Sequence, residues 1–193
     1  DVQLLTEKKA SEERLKATVS PTILHLATHG YFLPNVPVEQ MDGRSLGGES
    51  KQSIPENPMY RSGLLLAGAE NTLRGEVLEG TENGWFSAEE ASSLNLLGTE
   101  LVVMSACETG KGDIQNGRGV FGLQRAMRAA GAESVVMSLW SVDDAATSDL
   151  MQSFYGHWLA GSSTPDALRL AQFEMREQQP HPYYWGAWVC SGE

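Results

Sequence analysis

The chain has 193 residues, 41% of them hydrophobic and 20% charged, which is enough for one domain with a real core. Its formal net charge of −11 argues against direct nucleic-acid binding and against anionic membrane surfaces, since both need basic patches. No apolar run approaches the roughly 20 residues of a membrane span. No signal peptide is expected in the charged opening, and two cysteines, Cys107 and Cys190, make no disulfide framework, so a reducing cytoplasm is the expected compartment.

In chain order, residues 4–16 read as an amphipathic helix carrying Leu4, Leu5, Ala10 and Leu15, with Thr6 as its N-cap. Pro21 ends it. Residues 22–28 are a short, mostly apolar run of strand length inside ILHLATHG, and period-two alternation puts His25, Ala27 and His29 on one face. Residues 31–61 carry four prolines and little periodicity, and read as a long functional loop. Residues 63–69 (GLLLAGA) read as a strand, and residues 71–84 as a hairpin tip or loop. Ser87-Ala-Glu-Glu90 is a capping box opening a short helix that ends near Leu94.

Residues 100–105, within LVVMSACETG, read as a buried strand that ends in small residues and delivers Cys107. Four glycines in residues 109–119 mark a loop, followed by a helix over 120–130 with Gly131 at its C′ position. Residues 134–140 read as another buried strand. Ser141 is the expected cap of a helix running to about Leu159, with Asp143 and Asp144 in its first turn. Thr164-Pro165 opens the next helix, and residues 184–191 read as a last strand. Strands alternating with helices predict an α/β fold: a three-layer α/β/α sandwich around a mainly parallel sheet.

Cys107 stands out because it lies at the C-terminal end of its strand, where open α/β sheets place ligands, and a Gly-rich loop follows. His29 also ends an apolar strand, with Gly30 next to it. A nucleophilic thiol needs a nearby imidazole, and His29 is the candidate. His25, His157 and His181 read as structural, and Cys190 as core. There is no G-x-S-x-G elbow, no P-loop and no G-x-G-x-x-G after a strand. No spacing suggests a metal site, and no cofactor is expected.

HLATHG followed by Tyr31-Phe32, LVVMSACETGKG, LWSVDD at residues 139–144 and HPYYW at residues 181–185 occur in the order in which the CHAT domain carries similar motifs. The chain therefore resembles the CHAT domain, a caspase-like, separase-related cysteine peptidase family often attached to tetratricopeptide repeats. The resemblance covers roughly residue 6 to the C-terminus. The aromatic motif continues here as Gly-Ala-Trp, where the family more usually has Ala-Ala-Phe. The segment around the cysteine, Ser-Ala-Cys-Glu-Thr-Gly, departs from the caspase signature, so aspartate specificity is not carried over.

The resemblance implies a caspase–haemoglobinase fold with the strands bearing His29 and Cys107 adjacent. It implies Cys107 as nucleophile, His29 as the proton-transfer partner, and the Gly30 and Cys107 amides as oxyanion donors. It also implies Asp143 or Asp144 as an S1 carboxylate for a basic P1 residue. The expectation is a single peptidase domain over residues 1–193, truncated on its N-terminal side. It would act on a protein substrate under the control of a regulatory domain or partner chain, such as tetratricopeptide repeats, in a bacterial defence or cell-death system. The rivals are a non-proteolytic CHAT scaffold and a cysteine hydrolase acting on a small molecule.

Overall fold

A computed structural model of the chain describes residues 1–33, 58–76, 82–105, 107–108 and 118–192. After a 3₁₀ turn at Glu7–Lys9 come α1 (Glu12–Lys16), β1 (Ile23–Leu26), β2 (His29–Phe32), β3 (Ser62–Leu65), α2 (Ala69–Leu73), β4 (Trp85–Ser87) and α3 (Ala88–Ala91). The second half holds β5 (Leu101–Met104), β6 (Cys107–Glu108), α4 (Arg118–Ala129), β7 (Ser134–Ser138), α5 (Asp144–Leu159), α6 (Thr164–Gln178), α7 (Pro182–Trp185) and β8 (Trp188–Gly192).

Among the described residues the strands form two four-stranded sheets. The larger has the order β1-β5-β7-β8, parallel except at β8. Its central strands are continuous apolar runs because both faces are covered: Val102, Val103, Val135 and Val136 are all 0% exposed. Val102, Met104, Val135 and Met137 pack with Leu123, Ala126 and Met127 of α4 on one side. Leu101, Val103 and Val136 pack with Leu150 and Phe154 of α5 and Leu168 and Ala171 of α6 on the other. The protein is thus an α/β fold with a mainly parallel sheet and helices on both faces.

The smaller sheet has the order β4-β3-β2-β6. Its β3 is antiparallel to both β4 and β2, and β2 is parallel to β6. ILHLATHG is therefore two strands rather than one. β1 pairs with β5 from Ile23 opposite Leu101 to Leu26 opposite Met104, and the Ser105 amide donates to the Leu26 carbonyl at 3.1 Å. Both chains then cross into the smaller sheet and pair again, with His29 opposite Cys107 and Gly30 opposite Glu108. Partners are 78 residues apart in both sheets, so the register passes through the crossing unchanged.

Several elements differ from the sequence reading for local reasons. The opening helix is broken because Ser11 bridges to Ala67 and the Ala67 amide donates to the Ala10 carbonyl at 3.0 Å; Thr6 makes no side-chain cap bond. The stretch after the GLLL strand folds into α2. The last strand starts later than expected, because Tyr184 and Trp185 belong to α7, where Pro182 sits in the first turn and His181 caps. Ser163 rather than Thr164 caps α6, since the Thr164 hydroxyl accepts the Trp158 indole N–H at 3.2 Å. The capping box at Ser87 and Glu90 forms as read, and Gly131 takes the expected left-handed conformation, φ +113°.

Gly63 fixes how β2 lies on β3. Tyr31, its register partner, lays its ring across the space a side chain would fill, and a Cβ there would come within 2.6 Å of the Tyr31 hydroxyl and closer still to the Phe86 carbonyl. Gly63→Ala should therefore destabilise the fold by about 1–3 kcal/mol, as overpacking against backbone does. Chemical denaturation of the two proteins checks this.

Candidate active site

The site is built where the paired strands cross between sheets. Trp85, Leu65, His29 and Cys107 form one register row across all four strands of the smaller sheet. Neighbouring strands lie about 4.8 Å apart, so the backbones carrying the imidazole and the thiol are adjacent. His29 is exposed and Gly30 is buried, with Leu64 and Glu108 as its partners on either side. The Thr28 hydroxyl donates to the Leu65 carbonyl and ties the start of β2 to β3. The loops of residues 31–61 and 109–119, expected to border a groove, lie largely outside the described residues.

Ala27 and Ser105, two residues before His29 and Cys107, open onto a groove of about 730 Å³. Its far wall is α5, through Asp144, Thr147, Met151 and Tyr155. Sequence reading missed this wall, although the spacing of four in Thr147, Met151, Tyr155 and Leu159 marks one helix face. His25 forms the near wall. Its Nδ1 lies 3.0 Å from the Tyr155 hydroxyl. Burial pushes the His25 imidazole down from its ordinary value and the Tyr155 phenol up to about 12.

The two candidate S1 carboxylates separate. Asp143, not Ser141, caps α5: its Oδ1 accepts the Ala146 amide at 2.9 Å and its carbonyl accepts the Thr147 amide at 2.8 Å. Asp144 lines the groove. The helix starts late because the preceding segment is held elsewhere. The Leu139 amide donates to the Ala187 carbonyl at 2.9 Å, and the Trp140 indole donates to the Tyr183 carbonyl at 3.3 Å.

The remaining candidates have structural partners. His157 contacts the Glu174 carboxylate at 2.8 Å, which also accepts from the Ser153 hydroxyl at 2.5 Å, and this joins α5 to α6. The His181 Nδ1 accepts the Tyr183 amide at 3.2 Å. Cys190 is a half-buried free thiol in β8, and burial raises its pKa. Among the described residues no group of three or more His, Cys, Asp or Glu side chains is placed to hold a metal, and no helix is long and apolar enough to cross a membrane.

An α/β domain in which a histidine and a cysteine open adjacent parallel strands is compatible with a class related to the cysteine peptidases. The CHAT domain family model matches residues 1–193, the whole chain, and the chain belongs to that family. It is similar to human tetratricopeptide repeat protein 28, 27% identical over 198 residues, covering 98% of this chain and 8% of that protein. The mouse tetratricopeptide repeat protein 28 is 31% identical over 100 residues, covering 50% of this chain and 4% of that protein. The chain thus spans under a tenth of the length of these relatives.

Two outcomes follow from this geometry. Asp143→Ala should cost about 1 kcal/mol of stability through the lost cap, whereas Asp144→Ala should cost only about 0.3–0.5 kcal/mol through the helix dipole; thermal denaturation separates them. In an NMR titration the His25 ring should protonate below the ordinary imidazole value of 6.5. Its folded pKa is depressed, so its contribution to stability is complete above the unfolded pKa and is lost as the pH falls below that value.

Proposed function

We propose that this chain is the peptidase domain of a CHAT-type cysteine endopeptidase with a caspase–haemoglobinase-like fold. The observation that carries the reading is the shared register of His29 and Cys107 on adjacent parallel strands. The Cys107 thiolate attacks the scissile carbonyl, and the Gly30 and Cys107 amides hold the oxyanion. His29 donates a proton to the leaving amine as the C–N bond breaks and a thioester forms. Water then attacks the thioester with His29 accepting its proton, which releases the acid and the thiol.

Asp144 is the stronger S1 carboxylate, because it lines the groove while an Asp143 oxygen is taken by the helix cap. A lysine or arginine side chain at P1 suits it. A tetratricopeptide-repeat region, in the same protein or a partner, is the proposed regulator, supported by the names of the similar proteins. A setting in bacterial defence rests on the resemblance alone, since these relatives are mammalian. A non-catalytic binding module is the second reading, favoured by the fact that these relatives bear repeat-protein names and not peptidase names.

The test is digestion of a peptide library together with iodoacetamide labelling of Cys107. Cys107→Ala should abolish cleavage. His29→Ala should slow it by about 10²-fold or more, the usual contribution of a positioned acid–base group. Asp144→Asn should selectively reduce cleavage after lysine and arginine. If no peptide is cut and Cys107 labels at the same rate with and without His29, the binding-module reading stands instead.

A further inference from the structure

The smaller sheet carries the candidate reacting pair, and its Leu64 and Phe86 pack into the apolar cluster that also holds Val102 and Val135 of the larger sheet. Its edge also leans on a charge cluster outside the site, in which Glu12 is buried and Lys16, Glu82 and Glu90 are partly exposed. Lys16 Nζ lies 2.6 Å from Glu12 Oε1, 3.0 Å from Glu82 Oε1 and 3.0 Å from Glu90 Oε1. Glu12 is only 1% exposed. Burial opposes the charge on Lys16, but hydrogen bonds to Glu12, Glu90 and Glu82 outweigh it and hold the ammonium pKa above its usual value. Burial raises the Glu12 carboxyl, with the Lys16 hydrogen bond opposing.

Two of these carboxylates, Glu12 and Glu90, also grip backbone at the edge of the smaller sheet. Glu12 Oε2 accepts the Gly84 amide at 3.0 Å, immediately before Trp85. Trp85 begins the row that runs through Leu65 and His29 to Cys107. Glu90 Oε2 accepts the Ser87 amide at 2.9 Å, and Ser87 begins the row that runs through Gly63 to Tyr31. Tyr31 stacks against Trp85 with ring centroids 4.9 Å apart. Its phenol is raised to about 12 by burial and then by the Glu90 and Glu12 charges. The ends of two rows, on either side of the Phe86–Leu64–Gly30–Glu108 row, are thus linked to α1 through one ammonium group.

We propose that Lys16 is a positioning residue for the candidate active site: by neutralising Glu12, Glu82 and Glu90 it locks α1 onto β4 and α3 and holds the Trp85–Leu65–His29–Cys107 row in register. The inference rests on the reading of His29 and Cys107 as the reacting pair, but its structural half stands without it. Removing the ammonium leaves Glu12 buried with no cation. Its charge is then lost by protonation or exposed by opening of the cluster, and either loosens β4, where the cluster grips it, before it loosens the central strands β5 and β7 of the larger sheet.

The experiment is amide hydrogen exchange on this chain and its Lys16→Met and Lys16→Arg variants. In Lys16→Met, amides in residues 30–32 and 85–87 should exchange about tenfold faster, while those of Val102, Val103 and Val135 stay unchanged, as expected for sub-global opening. Lys16→Arg should restore most of the protection. If Lys16→Met does not fold, Glu82→Gln, which removes one partner at an exposed position, should give the same pattern at about threefold. Equal loss in both sheets, or loss confined to residues 12–16, overturns the proposal.

Iodoacetamide labelling of Cys107, resolved from Cys190 by peptide mapping, gives the functional half. Its pH profile should carry a His29-dependent inflection that Lys16→Met weakens and Lys16→Arg restores. A wild-type profile indifferent to His29→Ala would sink the peptidase reading, while the exchange pattern still decides whether Lys16 holds the row.

Discussion

The structure depends on one constraint: two strands that are 78 residues apart in sequence stay in the same register while both move from one sheet to another. A slip by one residue would turn each side chain to the opposite face. It would therefore break the packing of Leu101 and Val103 on one side and of Val102 and Met104 on the other. The buried section in the larger sheet fixes the register. The section in the smaller sheet inherits it, and with it the placing of His29 opposite Cys107. Precision at the site is thus drawn from apolar burial several residues away.

The division of labour between the sheets follows from their surroundings. The larger sheet lies between two apolar clusters and gains its stability from burial. The smaller one is short, with strands of two to four residues; it joins the first of those clusters through Leu64 and Phe86 and is further held by hydrogen bonds and charge: the Thr28 hydroxyl on Leu65, the capping box at Ser87, and the carboxylates around Lys16. Such contacts are directional, so they can set geometry where little area is buried. They also open at lower free energy than a core does.

Much of this was legible in the sequence. Apolar runs ending in small residues announced the central strands, and His29 and Cys107 stood at their ends. The capping box at Ser87 and the left-handed Gly131 followed from local chemistry alone. What was not legible was long-range pairing. ILHLATHG reads as one strand because nothing local says that its second half pairs with Ser62–Leu65. The break at Ala10 comes from Ala67, and the late start of α5 comes from Ala187 and Tyr183. In each case a contact across the fold overrode a propensity worth only tenths of a kcal/mol per residue. The Lys16 cluster was hidden for the same reason, since Glu12, Glu82 and Glu90 are brought together only by the fold and look like surface charge in the sequence.

Adjacent aspartates at a helix start are ambiguous until the backbone assigns them. The helix N-terminus accounts for one: Asp143 satisfies the Ala146 amide and leaves the chain extended before it. Asp144 then falls inside the first turn, on the groove side. A group entering the groove mouth there meets about half a positive charge from the α5 dipole and the full negative charge of Asp144, beside an Asp143 charge already engaged by the cap. The sum remains negative, so the dipole weakens the field without reversing it. On that balance the field at the groove mouth favours a positively charged group and opposes a carboxylate.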